Sequence, residues 1–242
     1  MAEATFAGHI GNDGSAVAWG EALGARLADM NAYQGHGSWA IPHGSLVTWA
    51  LMVQGGVQFN QLGQRFHDES LGYSEAAVQV VSQPAQTAWC VFDTPIHELG
   101  MSFPDYVQAQ AAGAVKVCQS LLDLATLIGC PIDALSQTVD DIHPGSADDF
   151  GRIFQRHLNA PFYAVRVTGA LFHTQGGLDV DANCRVVSLD GQMFPNLWAA
   201  GGAARGVSGP HVSGYLSGNG LLSAIAGGTI AADSMIDILR KG

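Results

Sequence analysis

The order of apolar and polar positions predicts a chain that mixes helices and strands. Val17, Leu23, Leu27 and Met30 recur near helical spacing. They predict a helix over 14–30 with Asp13 as its N-cap. The runs at 53–60 (VQGGVQFN) and 87–93 (TAWCVFD) predict strands, and a turn at Gln61-Leu62-Gly63-Gln64 follows the first. Helical patterns follow at 104–112, 119–128 and 131–142, the last with Pro131 at a favoured first-turn position. The polar stretch 141–152 (DIHPGSADDFGR) predicts a loop. Strands are expected at 162–168, 178–181 and 184–188, and Leu197-Trp198-Ala199-Ala200 reads as a buried strand. A glycine-rich loop, 201–220, and a long helix of small residues, 221–240, close the chain.

Composition narrows the classes. The chain has 242 residues, of which 48% are hydrophobic and 13% charged, so it can bury a sizeable core. A net charge of -11 with no basic cluster argues against nucleic-acid binding. Cys90, Cys118, Cys130 and Cys184 are scattered, with no CxxC pair. Neither a metal site nor a disulfide framework is expected, and reduced cytosolic thiols are the default, which gives a cytoplasmic expectation. No uninterrupted run of about 18 apolar residues exists, so no membrane span is expected. The first residues carry no basic region followed by an apolar one, so no signal peptide is expected.

The 31 glycines concentrate near 11–24, 35–63 and 169–228. Ser217-Gly218-Asn219-Gly220 opens the last helix. A helix start exposes unpaired N–H groups and the positive end of the dipole, which suits a negative or carbonyl group of a cofactor. The same pattern would equally serve a tight strand–loop–helix packing joint. Upstream, His173-Thr174-Gln175-Gly176-Gly177-Leu178-Asp179-Val180-Asp181 sets a histidine beside two glycines and a short alternating strand.

These segments resemble the flavoprotein family of fumarate reductases, succinate dehydrogenases and 3-ketosteroid dehydrogenases. Ala199-Ala200-Gly201-Gly202 is similar to the family's strand end AAGE, and Leu216-Ser217-Gly218-Asn219-Gly220-Leu221-Leu222 to the helix start that faces the flavin ring. HTQGGLDVD resembles HTMGGLxID, 55–69 (GGVQFNQLGQRFHDE) resembles GxxLVNxxGKRFxNE, and 11–30 resembles TGDGxxMAxxxGAxxxDM. The segment 121–142 resembles the family's capping-domain helices. The resemblance spans nearly the whole chain in the family's order. It implies FAD as cofactor, with Gly176, Gly177, Gly201, Gly202, Gly218, Asn219, Gly220, Leu221 and Leu222 at the flavin, and His173 over the ring at the substrate.

Departures from the family point to its ketosteroid branch. Dicarboxylate-reducing members use one arginine as proton donor and another as carboxylate clamp, a task suited to a bidentate guanidinium. Tyr73 and Tyr215 stand at those positions here. The resemblance then implies phenols that act as acid/base or polarise a ketone, with Tyr73, His173 and Tyr215 as the catalytic set. His36 and Thr48 match substrate-contacting residues, and Trp49 replaces an acidic one. Gly202 replaces the glutamate that bonds the flavin's ribityl chain.

No GxGxxG followed by an acidic residue about 20 positions on is present. The fold class expected is α/β: an incomplete FAD-binding domain, Rossmann-like with its N-terminal dinucleotide half missing, carrying an inserted α+β capping domain. Residues 1–35 and 166–242 form the FAD-domain portions and 36–165 the capping domain. A second chain or a missing N-terminal half would supply the dinucleotide-binding fold. The implied reaction is dehydrogenation or reduction of a carbon–carbon bond next to a carbonyl, on a steroid-like or other apolar ketone. Two alternatives stay open: a non-catalytic partner subunit that needs another chain for FAD, and a carboxylate reductase that recruits an arginine such as Arg205.

Overall fold

The computed structural model describes Met1 and residues 4–241; residues 2, 3 and 242 lie outside the description. The fold is mixed α/β and divides into two compact units. The first comprises Met1–Phe6 and Gly35–Leu171, the second Ala7–Gln34 and Phe172–Gly242.

The first unit is built on a sheet that is seven-stranded among the described residues. Its main path runs Ser45–Leu46, Tyr33–Ala40, Phe162–Thr174, Thr87–Phe92, Val57–Phe59. Thr5–Phe6 and Lys116–Cys118 also pair with the long strand. All six residues of Thr87–Phe92 are buried. Alternation explains why: Ala88, Cys90 and Phe92 enter one apolar cluster with Leu51, Tyr106 and Val165, while Trp89 and Val91 enter another with Phe59, Leu124 and Leu135. Both faces of the sheet are therefore covered.

The glycines of Tyr33–Ala40 have a steric reason. A Cβ on Gly35 would stand 2.6 Å from that of Ala77, and one on Gly37 2.7 Å from that of Ala76. Without side chains there, the helix Tyr73–Val81 presses directly on the strand, and the Ser74 hydroxyl accepts the Gly35 N–H at 2.9 Å. The alternating glycines thus let this strand pack closely under the helix.

A buried ion network ties the Arg65–Glu69 turn to the 148–154 loop. Glu69, fully buried, receives Arg65 at 2.6 Å and Arg152 at 2.7 Å, and Arg65 also pairs with Asp148. Arg65 therefore has a structural role, pairing with Glu69 and Asp148.

The second unit is smaller. Leu27–Ala28 pairs with Gly177–Leu178, and Arg185–Val187 with Met193–Trp198, around a core of Ala25, Leu178, Val186, Ala199 and Ala204. The helix predicted over 14–30 stops at Ala22. Gly24 takes a positive φ of 81°, and Leu27 is then recruited into its ladder. Asp13 accepts the Ser15 N–H at 2.9 Å, one residue before the N-cap Gly14.

Other boundaries shift for local reasons. The strand predicted over 53–60 shortens to Val57–Phe59, because Ala50–Val53 is helical and Gly55 turns at φ 123°. Ser120 and Asp123 form a capping box that starts Leu121–Ile128, and Pro131 is the N-cap of Ile132–Asp140 rather than its first helical residue. The strand expected at 162–168 runs on to Thr174, so His173 sits at its far end.

The closing helix Asn219–Lys241 turns its small residues inward. A Cβ on Gly227 would stand 3.1 Å from the Ala200 Cβ, and Ala231 is buried. Leu221, Leu222, Ile225, Ile230, Ile236 and Leu239 are exposed. By length and composition alone, Asn219–Arg240 would suffice to cross a membrane, with a mean hydropathy of 1.4. The run count in the sequence missed it because Gly, Ser, Thr and Asp interrupt the apolar residues. All four cysteines are unpaired.

Candidate active site

The candidate residues fall into two groups, one in each unit. In the first unit, His36 from the strand Tyr33–Ala40 stacks on Tyr73, the first residue of its helix, at 4.7 Å between centroids and 13° between planes. Trp49 meets His36 edge-on at 6.0 Å and donates its indole N–H to the Leu71 carbonyl at 2.8 Å. Trp49 and His36 are buried, and Tyr73 and Thr48 are half-buried. The acidic side chain that the family pattern would place here is replaced by an aromatic wall.

Burial pushes the His36 imidazole down to about 3, so it is neutral at physiological pH. Its unfolded value lies near 6.5. Between these two values the unfolded chain binds the extra proton, so stability rises with pH across that window and is lost as pH falls through it. Unfolding free energy measured in urea should therefore decline from pH 6.5 downward. The slope attributable to His36 approaches about 1.4 kcal/mol per pH unit. His36→Gln should flatten the profile by that amount; an unchanged slope would contradict the burial argument.

In the second unit, His173 Nε2 lies 3.2 Å from the Tyr215 hydroxyl, with the rings edge-on at 5.8 Å. His173 Nδ1 lies 2.9 Å from the Thr174 carbonyl oxygen. A carbonyl only accepts, and at 2.9 Å it lies closer than the Gln175 amide nitrogen, 3.4 Å from the same atom, so Nδ1 is assigned the hydrogen in the neutral ring. Nε2 is then the acceptor, and the Tyr215 O–H donates to it. Both side chains are half-buried, so the pair is held and still reachable.

The glycines sort into two kinds. Gly176 and Gly177 are packing positions: a Cβ on either would stand 2.5 Å from Met30 Cα or 2.6 Å from the Ala204 carbonyl carbon. Their glycine identity needs no cofactor. Gly201 has φ 58°, and its Cβ would touch Ala224 at 3.2 Å. At Gly202 and Gly218 an added Cβ would meet open space, and at Gly220 only His173 Nε2, 4.0 Å away. Leu221 and Leu222 are exposed.

Asn219 is buried, and its amide donates to Gln175 Oε1 at 3.1 Å and to Ser208 Oγ. Its side chain is thus directed into the protein, and its own N–H donates to the Leu216 carbonyl at 3.1 Å. Gln175 stands where the motif HTMGGLxID has methionine, Ser208 lies outside the quoted motifs, and neither carried an expected role.

Arg205 pairs with Asp29 at 2.7 Å and Asp179 at 3.3 Å. Its charge is committed to two carboxylates of its own unit. A cavity of about 430 Å³ in the first unit, lined by Arg65, Asp141, His143 and Asp148 among others, contains none of the candidate residues. Among the described residues no cluster of His, Cys, Asp or Glu is placed to hold a metal ion.

Residues 1–221 match the model of the FAD binding domain family. The chain belongs to this family. It is 29% identical over 235 residues to a fumarate reductase (cytochrome) of Shewanella frigidimarina, covering 95% of the chain and 40% of the relative. The chain therefore spans about two fifths of that relative's length. The fold is similar to the open conformation of a flavocytochrome c3 fumarate reductase, with a TM-score of 0.74 at 26% identity, over 98% of the chain and 42% of the other. It is also similar to 3-ketosteroid-Δ4-(5α)-dehydrogenase from Rhodococcus jostii RHA1 in complex with 4-androstene-3,17-dione. There the TM-score is 0.67 at 25% identity, over 96% and 47% of the two chains.

The family's cofactor fits what surrounds the closing helix. A 23-residue helix starts at Asn219, its first N–H groups lack intrahelical partners, and no side chain fills the space at Gly202 or Gly218. The Asn219 and Leu222 N–H groups already donate to the Leu216 and Gly218 carbonyls, so the main chain of Gly220 and Leu221 would face the flavin at that helix start.

Proposed function

We propose that this chain is part of an FAD-dependent oxidoreductase that acts on a carbon–carbon bond next to a ketone carbonyl. The observation that carries the reading is the His173–Tyr215 pair, with its proton polarity fixed by the Thr174 carbonyl. Tyr215 takes the proton from the carbon beside the carbonyl as its own hydroxyl proton passes to His173 Nε2. The resulting imidazolium keeps both N–H groups bonded, one to Thr174 and one back to Tyr215. FAD held at the start of the closing helix would supply the acceptor for the second hydrogen, which leaves the neighbouring carbon as hydride. In the reducing direction the same two side chains return the proton.

The first unit supports an apolar substrate. Half-buried Tyr73, backed by the buried, neutral His36 and by Trp49, presents aromatic surface and no charge, and Thr48 adds one hydroxyl. Residues 36–165 serve as a capping domain on this reading. The carboxylate reading is favoured by the fumarate reductase relative, but Tyr73 and Tyr215 hold the arginine positions, and Arg205, the substitute considered, is bound by Asp29 and Asp179. Dehydrogenation assays with a dye acceptor separate the two. A saturated cyclic ketone should turn over and succinate should not. Turnover of succinate alone would establish the carboxylate reading instead.

The adenosine and pyrophosphate of FAD have no seat in these residues, since no glycine fingerprint precedes a helix in the required order. We assign that seat to a dinucleotide-binding unit outside residues 1–242, on a second chain or another portion of the same protein. The exposed side formed by Leu221, Leu222, Ile225, Ile236 and Leu239 supports the assignment, as an apolar helix face is rarely left to water. The residues alone should bind FAD weakly and gain tight binding when the dinucleotide unit is supplied, read by flavin fluorescence quenching. Residues that bind no FAD at all on their own would favour the non-catalytic partner subunit that needs another chain for FAD.

A further inference from the structure

We infer that Asn219, with Gln175 and Ser208, is a positioning device that sets the distance between His173 and Tyr215. The inference rests on the proton-pair reading and adds three residues to it.

The connections form a closed path. The Asn219 amide donates to Gln175 Oε1 at 3.1 Å, and Gln175 lies two residues beyond His173. The same amide donates to Ser208 Oγ, and that oxygen also accepts the Leu216 N–H at 3.0 Å. Leu216 is the neighbour of Tyr215. The network therefore joins the segment that carries His173 to the segment that carries Tyr215.

Gln175 is itself fixed on both sides. Its N–H donates to the Ala32 carbonyl at 2.8 Å, and its carbonyl accepts the Gly206 N–H at 2.7 Å. Gln175 and Asn219 are both buried, at 2% and 3% exposure, so their polar groups hold each other without competition from water. By contrast, the segment 209–218 between Ser208 and Asn219 is largely exposed, with positive φ at Gly209, Gly214 and Gly218. The Ser208 hydroxyl supplies one hold on the backbone next to Tyr215. Displacements of about 1 Å are enough to cost two orders of magnitude in a proton transfer that depends on alignment.

The test reads the His173 ring in protein labelled with ¹⁵N-histidine, without any turnover. In the unaltered protein the long-range ¹H–¹⁵N spectrum should show Nδ1 protonated and Nε2 shifted by the Tyr215 hydrogen bond. Tyr215→Phe should abolish that shift. Asn219→Leu should move Nε2 toward the Tyr215→Phe position. Ser208→Ala, which deletes one half-buried hydroxyl, should do the same where Asn219→Leu does not fold. Ser208→Thr, which keeps the hydroxyl, should restore the original signal. Folded Asn219→Leu and Ser208→Ala proteins with unaltered His173 signals would overturn the positioning role while leaving the pair intact. A His173 signal insensitive to Tyr215→Phe would overturn the pair itself, and the positioning device with it.

Discussion

Tyr215→Phe is expected to lower kcat by about 10²–10⁴-fold on a ketone substrate, the range that a positioned acid or base contributes. The protein should fold as before, because the lost atom is a single hydroxyl on a half-buried ring. His173→Gln should cost a similar factor, since it removes the acceptor for the phenol proton. The double substitution should cost little more than either single one. Residues that pass one proton between them act as a unit, and their losses do not add. Steady-state kinetics of the three variants, with the protein supplied with FAD and its dinucleotide unit, checks this. Additive losses would mean that the two side chains act on different steps.

Glu69→Gln is expected to destabilise the protein by about 3–5 kcal/mol, the cost of leaving a buried charge uncompensated. Glu69 is fully buried between Arg65 and Arg152 and also accepts the Gln58 N–H at 2.9 Å. Arg152 is held in addition by the Gly56 and Met52 carbonyls, so it cannot withdraw to water. Neutralising Glu69 leaves two guanidinium groups with Asp148 as their one remaining ion-pair partner among the described contacts. Urea unfolding would read the loss as a lower midpoint. Burial acts to raise the Glu69 carboxyl, but the hydrogen bond and charge of Arg65, with Arg152, outweigh it and hold it below the usual glutamate value. A depressed carboxyl stabilises fully above its unfolded value. That share is lost as pH falls from there through the lower folded value, and Glu69→Gln should remove this acid-side dependence.

Much of the fold is written locally in the sequence. Leu121–Ile128 announces itself by Ser120 and Asp123, and Thr87–Phe92 by six consecutive apolar or β-branched residues. Tyr33–Ala40 does not, because Gly35 and Gly37 answer to a helix almost forty residues away. The long helix predicted from residue 14 fails for the same kind of reason: Leu27 fits the helical period but is claimed by Leu178, far along the chain.

The site divides likewise. The histidine beside two glycines was legible, and so was its placement near the start of the last helix. The purpose of the glycines was not. Gly176 and Gly177 clear a path for Met30 and Ala204, backbone neighbours that no local pattern reveals. Gln175, Ser208 and Asn219 are joined only in space, so their connection had to come from coordinates.

The central claim is that Tyr215 and His173 move a proton at the carbon beside a ketone. Exchange of that proton with solvent deuterium tests it most directly, followed by NMR on a saturated cyclic ketone with the FAD-loaded protein. The pair should catalyse exchange in the unaltered protein and lose it in Tyr215→Phe. Exchange that persists at the original rate in Tyr215→Phe would contradict the account.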